Sequence, residues 1–160
     1  LLGIRGVLLT ATRGTAQISS YLLGYEKKGA KLESFRNGAL TASKAGTTLG
    51  YGLANAQERG IMFIGPGTAV YEGMIVGVTT RPMDIEVNVC KEKQQTNNRS
   101  AGEGVSIQVT PPTTLSLEQY LDFIADDELL EVTPKSLRPR KKYLSLLARR
   151  VQDRREKSRV

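Results

Sequence analysis

Apolar and polar positions alternate along this chain with two periods, and the switches between them mark out its elements. Leu1, Ile4, Leu8 and Leu9 recur on one face of a 3.6-residue period, and Gly14 follows as a stop, so residues 1–12 are predicted helical. In TAQISSYLLGY, Ala16, Ile18, Ser20 and Leu22 alternate, which predicts a strand with one covered side. Turns are expected at Lys28-Gly29 and at Asn37-Gly38, the second being a strong hairpin signal. Residues 48–59, TLGYGLANAQER, place Leu49, Leu53 and Ala56 inward as a short helix stopped by Gly60, although Gly50 and Gly52 weaken it.

IMFI, a GPG turn, TAVYEG and MIVGVT then read as short strands with tight corners, and VSIQVT as a strand stopped by Pro111-Pro112. SLEQYLDFI is the clearest helix: Ser116 and Gln119 form a capping box, and Leu117, Tyr120, Leu121 and Ile124 make its stripe. LLEVT is expected to be the last strand, ended by Pro134 before a basic tail. The class is α+β, β-rich, with short helices. A helix and strand at the start read as the end of a unit that begins before Leu1.

One stretch breaks the pattern. CKEKQQTNNRSAGEG, residues 90–104, is almost without apolar residues and lies between two predicted strands. Polar loops of this length are uncommon, and are usually functional or disordered.

Composition narrows the function classes. At 39% hydrophobic and 24% charged, the chain matches ordinary globular proteins. There is no long apolar run and no signal-peptide pattern. Cys90 is the only cysteine, so no intrachain disulfide forms, and a reducing compartment is the simpler expectation. The absence of His removes the commonest general base and the usual zinc and haem ligands. The net charge of +7 is uneven: residues 118–131 carry six acids and no Lys or Arg, whereas residues 135–160 carry eleven Lys or Arg against Asp153 and Glu156. Such a tail suits a polyanion, nucleic acid before membrane, or is simply solvated and partly disordered.

Chemistry-bearing motifs are few. GPGTAVYEG lacks the Lys-Ser or Lys-Thr of a phosphate-binding Walker loop, so its glycines are read as turn residues. Asp126, Asp127 and Glu128 are read as a solvated helix end rather than a metal site. Cys90, beside Lys91 and Lys93, has no base to activate it and is read as structural. The polar loop is different: Lys91, Lys93 and Arg99 offer charge to phosphates, and Gln94, Gln95, Thr96, Asn97, Asn98 and Ser100 offer donors and acceptors for sugars and base edges. RNA contact is the expectation for it.

FRNGAL (35–40), QERG (57–60), VYEGMIVG (70–77), TNNRSAG (96–102) and DDELLEVTPKSLRPRKKYL (126–144), in that order, resemble the C-terminal region of the TypA/BipA family of translational GTPases. The resemblance runs from residue 1 to about residue 144. It implies that residues 1–30 are the last helix and strand of an elongation-factor-G-like fifth domain with a ferredoxin-like fold, that 31–144 are the family's C-terminal domain, and that 145–160 are a basic tail. It further implies that the GTPase domain, with its GTP and Mg, precedes Leu1, and that these residues hold no catalytic group, cofactor or metal of their own.

The partners implied are the ribosome, through large-subunit RNA and A-site transfer RNA, with no membrane and a monomeric state. Bacterial cytoplasm or plastid stroma is the implied location. The loop's matching positions are Lys93, Thr96, Asn97, Arg99 and Gly102, and Arg138, Arg140, Lys141 and Lys142 complete the expected RNA-binding set. Gln94-Gln95, Asn98 and Met83 depart from the family's usual residues, and the tail matches only in being basic. The alternative reading is a protein-interaction or scaffold domain whose acidic helix and basic tail engage protein partners.

Overall fold

The computed structural model describes residues 4–27, 29, 36–93 and 108–158. The chain is α+β, with four helices and eight strands among the described residues. Helix α1 (Ile4–Ala11) ends as the glycine predicts: Arg13 and Gly14 both take positive φ, and the Gly14 amide donates back to the Leu9 carbonyl at 2.6 Å.

The strand expected over TAQISSYLLGY is absent. Residues 15–27 carry no ladder, because no described strand lies alongside to exchange backbone hydrogen bonds. Tyr21, Leu23 and Tyr25 are more than four-fifths exposed. Asn37-Gly38 is likewise not a hairpin. Gly38 leads into β1 (Ala39–Ala42), and a Cβ there would collide with the Met83 carbonyl, so close backbone approach, not a turn, calls for the glycine.

The main sheet has the order β3-β5-β1-β6: β5 (Ile75–Thr79) is antiparallel to both β1 and β3 (Gly60–Met62), and β6 (Ile85–Val87) is parallel to β1 on its other side. A bulge in β5 puts Gly77 opposite Leu40 and Ile75 opposite Thr41. The extra residue sends Val76 to one face and leaves Ile75 and Val78 on the other. On the first face, Leu40, Ala42, Met62, Val76 and Val87 pack with Leu53 and Ala56 of α2 (Gly50–Gln57). Here the helix predicted from Leu49, Leu53 and Ala56 is found. A two-stranded ladder of β2 (Gly46–Thr47) and β4 (Ala69–Val70) borders it. Gly67 and Gly73 take positive φ, as turn glycines do.

The second face carries Ala39, Phe63 and Ile75 against α3 (Leu117–Phe123) and the hairpin of β7 (Glu128–Val132) and β8 (Leu137–Lys141). The Ser116–Gln119 capping box forms as expected. Its inward face is corrected: Tyr120 and Phe123 set their rings edge-on to Phe63, at 5.9 and 5.3 Å, while Leu117 and Leu121 are exposed. A helix of two turns meets the sheet at one point, and the aromatic pair wins it by area.

Of VSIQVT, residues 105–107 lie outside the description and 108–110 are not a strand. The Gln57 amide donates to the Thr110 carbonyl at 2.7 Å and accepts from its N–H at 3.0 Å, doing for one residue what a ladder would do. The largest correction concerns LRPRK. This run is a strand, not the start of a tail, and its Pro139 is fully buried. The chain then forms α4 (Leu146–Lys157).

Candidate nucleic-acid interface

Because β8 alternates, its basic residues divide between two environments. Leu137, Pro139 and Lys141 point one way; Arg138 and Arg140 point the other. The Lys141 ammonium is buried, at 3% exposure, and is met by three carboxylates: Asp127 at 2.7 Å, Glu128 at 2.8 Å, and Asp84 in close contact. Glu128 is itself fully buried and held by Arg36, whose two terminal nitrogens reach its oxygens at 2.6 and 2.9 Å. The same guanidinium lies 4.4 Å from the Phe123 ring centre and donates to the Phe123 carbonyl. Ala125 N–H donates to Glu128 and Ala39 N–H to Asp84, so the cluster joins the sheet to the hairpin.

Burial opposes both charges here and loses. It pulls the Asp84 carboxyl up, but hydrogen bonds from Lys141 and Ala39 and the Lys141 charge hold it below its ordinary 3.8. It pulls the Lys141 ammonium down, but hydrogen bonds to Asp127, Asp84 and Glu128 hold it above 10.5. Lys141 is therefore withdrawn from the RNA-binding set: its three donors are spent inside the fold. The acidic run is corrected too. Asp127 and Glu128 serve this network, and the one trio of carboxylates among the described residues close enough to hold an ion, Asp84, Asp127 and Glu128, already surrounds an ammonium.

Arg138 and Arg140 converge on Glu131, with Nε to carboxylate distances of 3.5 and 3.0 Å, and remain half-buried. Two guanidiniums sharing one carboxylate keep a net positive charge on that face. Tyr71 lies beside them; burial first, then the nearby Glu131 carboxylate, raise its hydroxyl to about 12 against the pull of Arg140 and Arg138. Lys142, the next residue, is exposed, with its ammonium 6.0 Å from the Tyr143 ring centre. Lys91 and Lys93 are exposed at the root of the polar loop, Lys91 sitting 5.9 Å from the Tyr51 ring centre. Gln94, Thr96, Asn97, Asn98, Arg99 and Ser100 lie outside the described residues. Cys90 is free, and burial pushes its thiol above 9.0, away from reactivity.

Sequence reasoning read the cations of α4 as a basic tail, suited to a polyanion or simply solvated, and gave it no helix. Arg149 pairs with Glu86 of β6, docking the helix on the sheet edge. Between them and the Asp127 turn runs a cleft of about 310 Å³ lined by Asp84, Glu86, Lys142 and Arg149 among others. The recurrence of Leu146, Arg149, Arg150 and Asp153 at i, i+3, i+4 and i+7 was a readable helix signal, masked by its lack of apolar residues.

Comparison with known proteins accords with this layout. Residues 37–146 match the TypA/BipA C-terminal domain. The large ribosomal subunit assembly factor BipA of Synechocystis sp. is 44% identical over 150 residues, 94% of this chain and 25% of that protein. BipA of Salmonella typhimurium is 39% identical over 158 residues, 98% of this chain and 26% of its own. The chloroplastic TypA-like protein SVR3 of Arabidopsis thaliana is 44% identical over 138 residues, 86% of this chain and 20% of its own. The chain thus spans about a quarter of the length of the curated relatives it matches. Since the matched span takes in all eight described strands, α2, α3 and the carboxylates around Lys141, the chain belongs to the TypA/BipA C-terminal domain family.

Proposed function

We propose that this chain is the ribosome-binding, RNA-contacting C-terminal module of a translational GTPase that acts in large-subunit assembly, working in a bacterial cytoplasm or a plastid stroma. Family membership carries the reading, together with relatives that are named large ribosomal subunit assembly factors. In this reading residues 1–30 close a preceding domain. GTP hydrolysis and its Mg belong to the part of the relatives that this chain does not span, and the chain supplies binding and no catalytic group. The contacts are made by the loop of residues 90–104, rooted at the exposed Lys91 and Lys93, and by Lys142 with the outward edges of Arg138 and Arg140, which together meet large-subunit RNA and A-site transfer RNA.

Co-sedimentation of the chain with purified large ribosomal subunits across a salt series tests this. Each phosphate neutralised contributes about 0.7 to 0.9 to the slope of log affinity against log salt. Binding with a steep slope, weakened when Asn97→Ala and Arg99→Ala are combined, is expected. Salt-insensitive binding would favour a protein-interaction module instead, and no binding at any salt would refute the reading.

A further inference from the structure

Helix α4 begins at Leu146, where the family match ends, and it is docked by charge instead of by an apolar face. Leu146, Arg149, Arg150 and Asp153 line the cleft beside Asp84, Glu86, Asp126 and Asp127. On that side cations and carboxylates face one another, and phosphate is unwelcome. The opposite side is different. Leu147, Val151, Arg154 and Arg155 are exposed, and neither arginine pairs with a carboxylate among the described residues. Lys142, at the foot of the helix, is exposed but lines the cleft.

We propose that α4 is a second RNA-contacting element, which binds phosphates through Arg154 and Arg155 and is held in position by the Arg149–Glu86 pair. This rests on the ribosome-binding reading above and adds a contact that the polar loop does not supply. Two unpaired guanidiniums on adjacent outward positions offer the bidentate donors that phosphate oxygens accept, and the docked helix orders them before RNA arrives. An acidic protein partner would need a broad apolar face beside the charges, and α4 offers only Leu147 and Val151 there. The observations favour RNA. Glu86 and Arg149 act as positioning residues: their charges meet each other, and the RNA sees their effect only through where α4 points.

The test uses the full 160-residue chain, with purified large subunits and deproteinised large-subunit RNA as separate probes. Arg154→Gln with Arg155→Gln is expected to keep the wild-type melting temperature, to bind both probes roughly tenfold more weakly, and to lower the salt slope by about 2. Glu86→Arg separates positioning from bulk attraction. It adds positive charge, so simple attraction predicts tighter binding, whereas repulsion of Arg149 frees α4 and predicts weaker binding. The swap of Glu86→Arg with Arg149→Glu restores the pair, the net charge and the affinity. Unchanged affinity and slope in the Arg154/Arg155 variant, or loss confined to intact subunits with naked RNA unaffected, would overturn the RNA role of α4. Tighter binding by Glu86→Arg would overturn the positioning role. If wild type binds neither probe, the ribosome-binding reading fails and takes this one with it.

Discussion

Lys141 and Lys142 are adjacent in sequence and opposite in consequence, and replacing each by Met separates folding from binding. Lys141→Met keeps the aliphatic bulk and removes the charge from among Asp84, Asp127 and Glu128. Removing one partner of a buried ion pair costs about 3 to 5 kcal/mol, because the remaining charge is left stranded. Three features place this case at the low end. Asp127 is 62% exposed and turns to water, Asp84 is partly exposed, and Glu128 keeps both hydrogen bonds from Arg36. A loss of about 3 kcal/mol follows, which for a chain of this size lowers the melting temperature by about 6 to 12 °C. Lys142→Met removes an exposed charge and changes stability by less than about 0.5 kcal/mol.

Thermal unfolding by circular dichroism reads the first quantity, and co-sedimentation with large subunits, at a temperature where both variants are folded, reads the second. The expected result is a double dissociation: Lys141→Met melts early and binds like wild type, and Lys142→Met melts like wild type and binds more weakly. If the two variants melt alike, the buried network does not hold the hairpin to the sheet. If Lys141→Met is the weaker binder while fully folded, its ammonium reaches RNA and the withdrawal is wrong.

The network also sets a pH profile. The Asp84 carboxyl is depressed, so its stabilisation is present above the unfolded value near 3.9 and is lost as pH falls through the lower folded value; Lys141 is elevated, so its share is present below about 10.4 and is lost as pH rises through the higher folded value. Urea midpoints are expected to be flat from roughly pH 5 to 9 and to fall on both sides, with the acid limb shallower in Asp84→Asn. Gly73→Ala should be strongly destabilising, by more than about 2 kcal/mol, because φ is +78° and the added Cβ would lie 2.5 Å from the Leu144 carbonyl oxygen; a wild-type melt in that variant would refute the tight turn. Glu131→Gln should bring the Tyr71 hydroxyl down from about 12, read as the tyrosinate absorbance lost in a Tyr71→Phe comparison, since it removes a repelling charge while Arg138 and Arg140 stay. Cys90 should alkylate more slowly than a free thiol at neutral pH, its thiolate being disfavoured by burial.

Elements whose signals are local were legible before any coordinate. Helix α3 announces itself by Ser116 and Gln119 three residues apart, α2 by Leu53 and Ala56, and the corners by Gly67 and Gly73; Gly60, expected as the stop of α2, instead opens β3, where an added Cβ would collide with the Val78 carbonyl. What escaped depends on partners far along the chain. Gly38 looks like half of a hairpin turn until Met83 is seen against it. The parallel pairing of β1 with β6 joins residues about 45 apart and leaves no mark on either segment. Residues 15–27 show the converse, where alternation without a neighbour makes no strand. At the candidate site, Lys91, Lys93 and Lys142 stand exposed where the sequence put them, whereas Arg36 and Asp84 were missed, since nothing around them signals a buried ion pair.

A run of charges in a sequence counts protons, and a surface counts only those left over after pairing. Between Arg138 and Lys142 the strand period divides four cations into one consumed by the core, two shared with Glu131, and one exposed. The density that looked concentrated on β8 is therefore partly internal, and some of the positive surface shifts along the chain to Lys142 and to the outer side of α4. This changes which substitution is informative. Neutralising all four residues of β8 and its exit together would destabilise the hairpin through Lys141, and that loss would be mistaken for lost RNA contact. Single replacement of Lys142, beside the Arg154 and Arg155 pair, leaves the Lys141 network whole and asks the binding question alone.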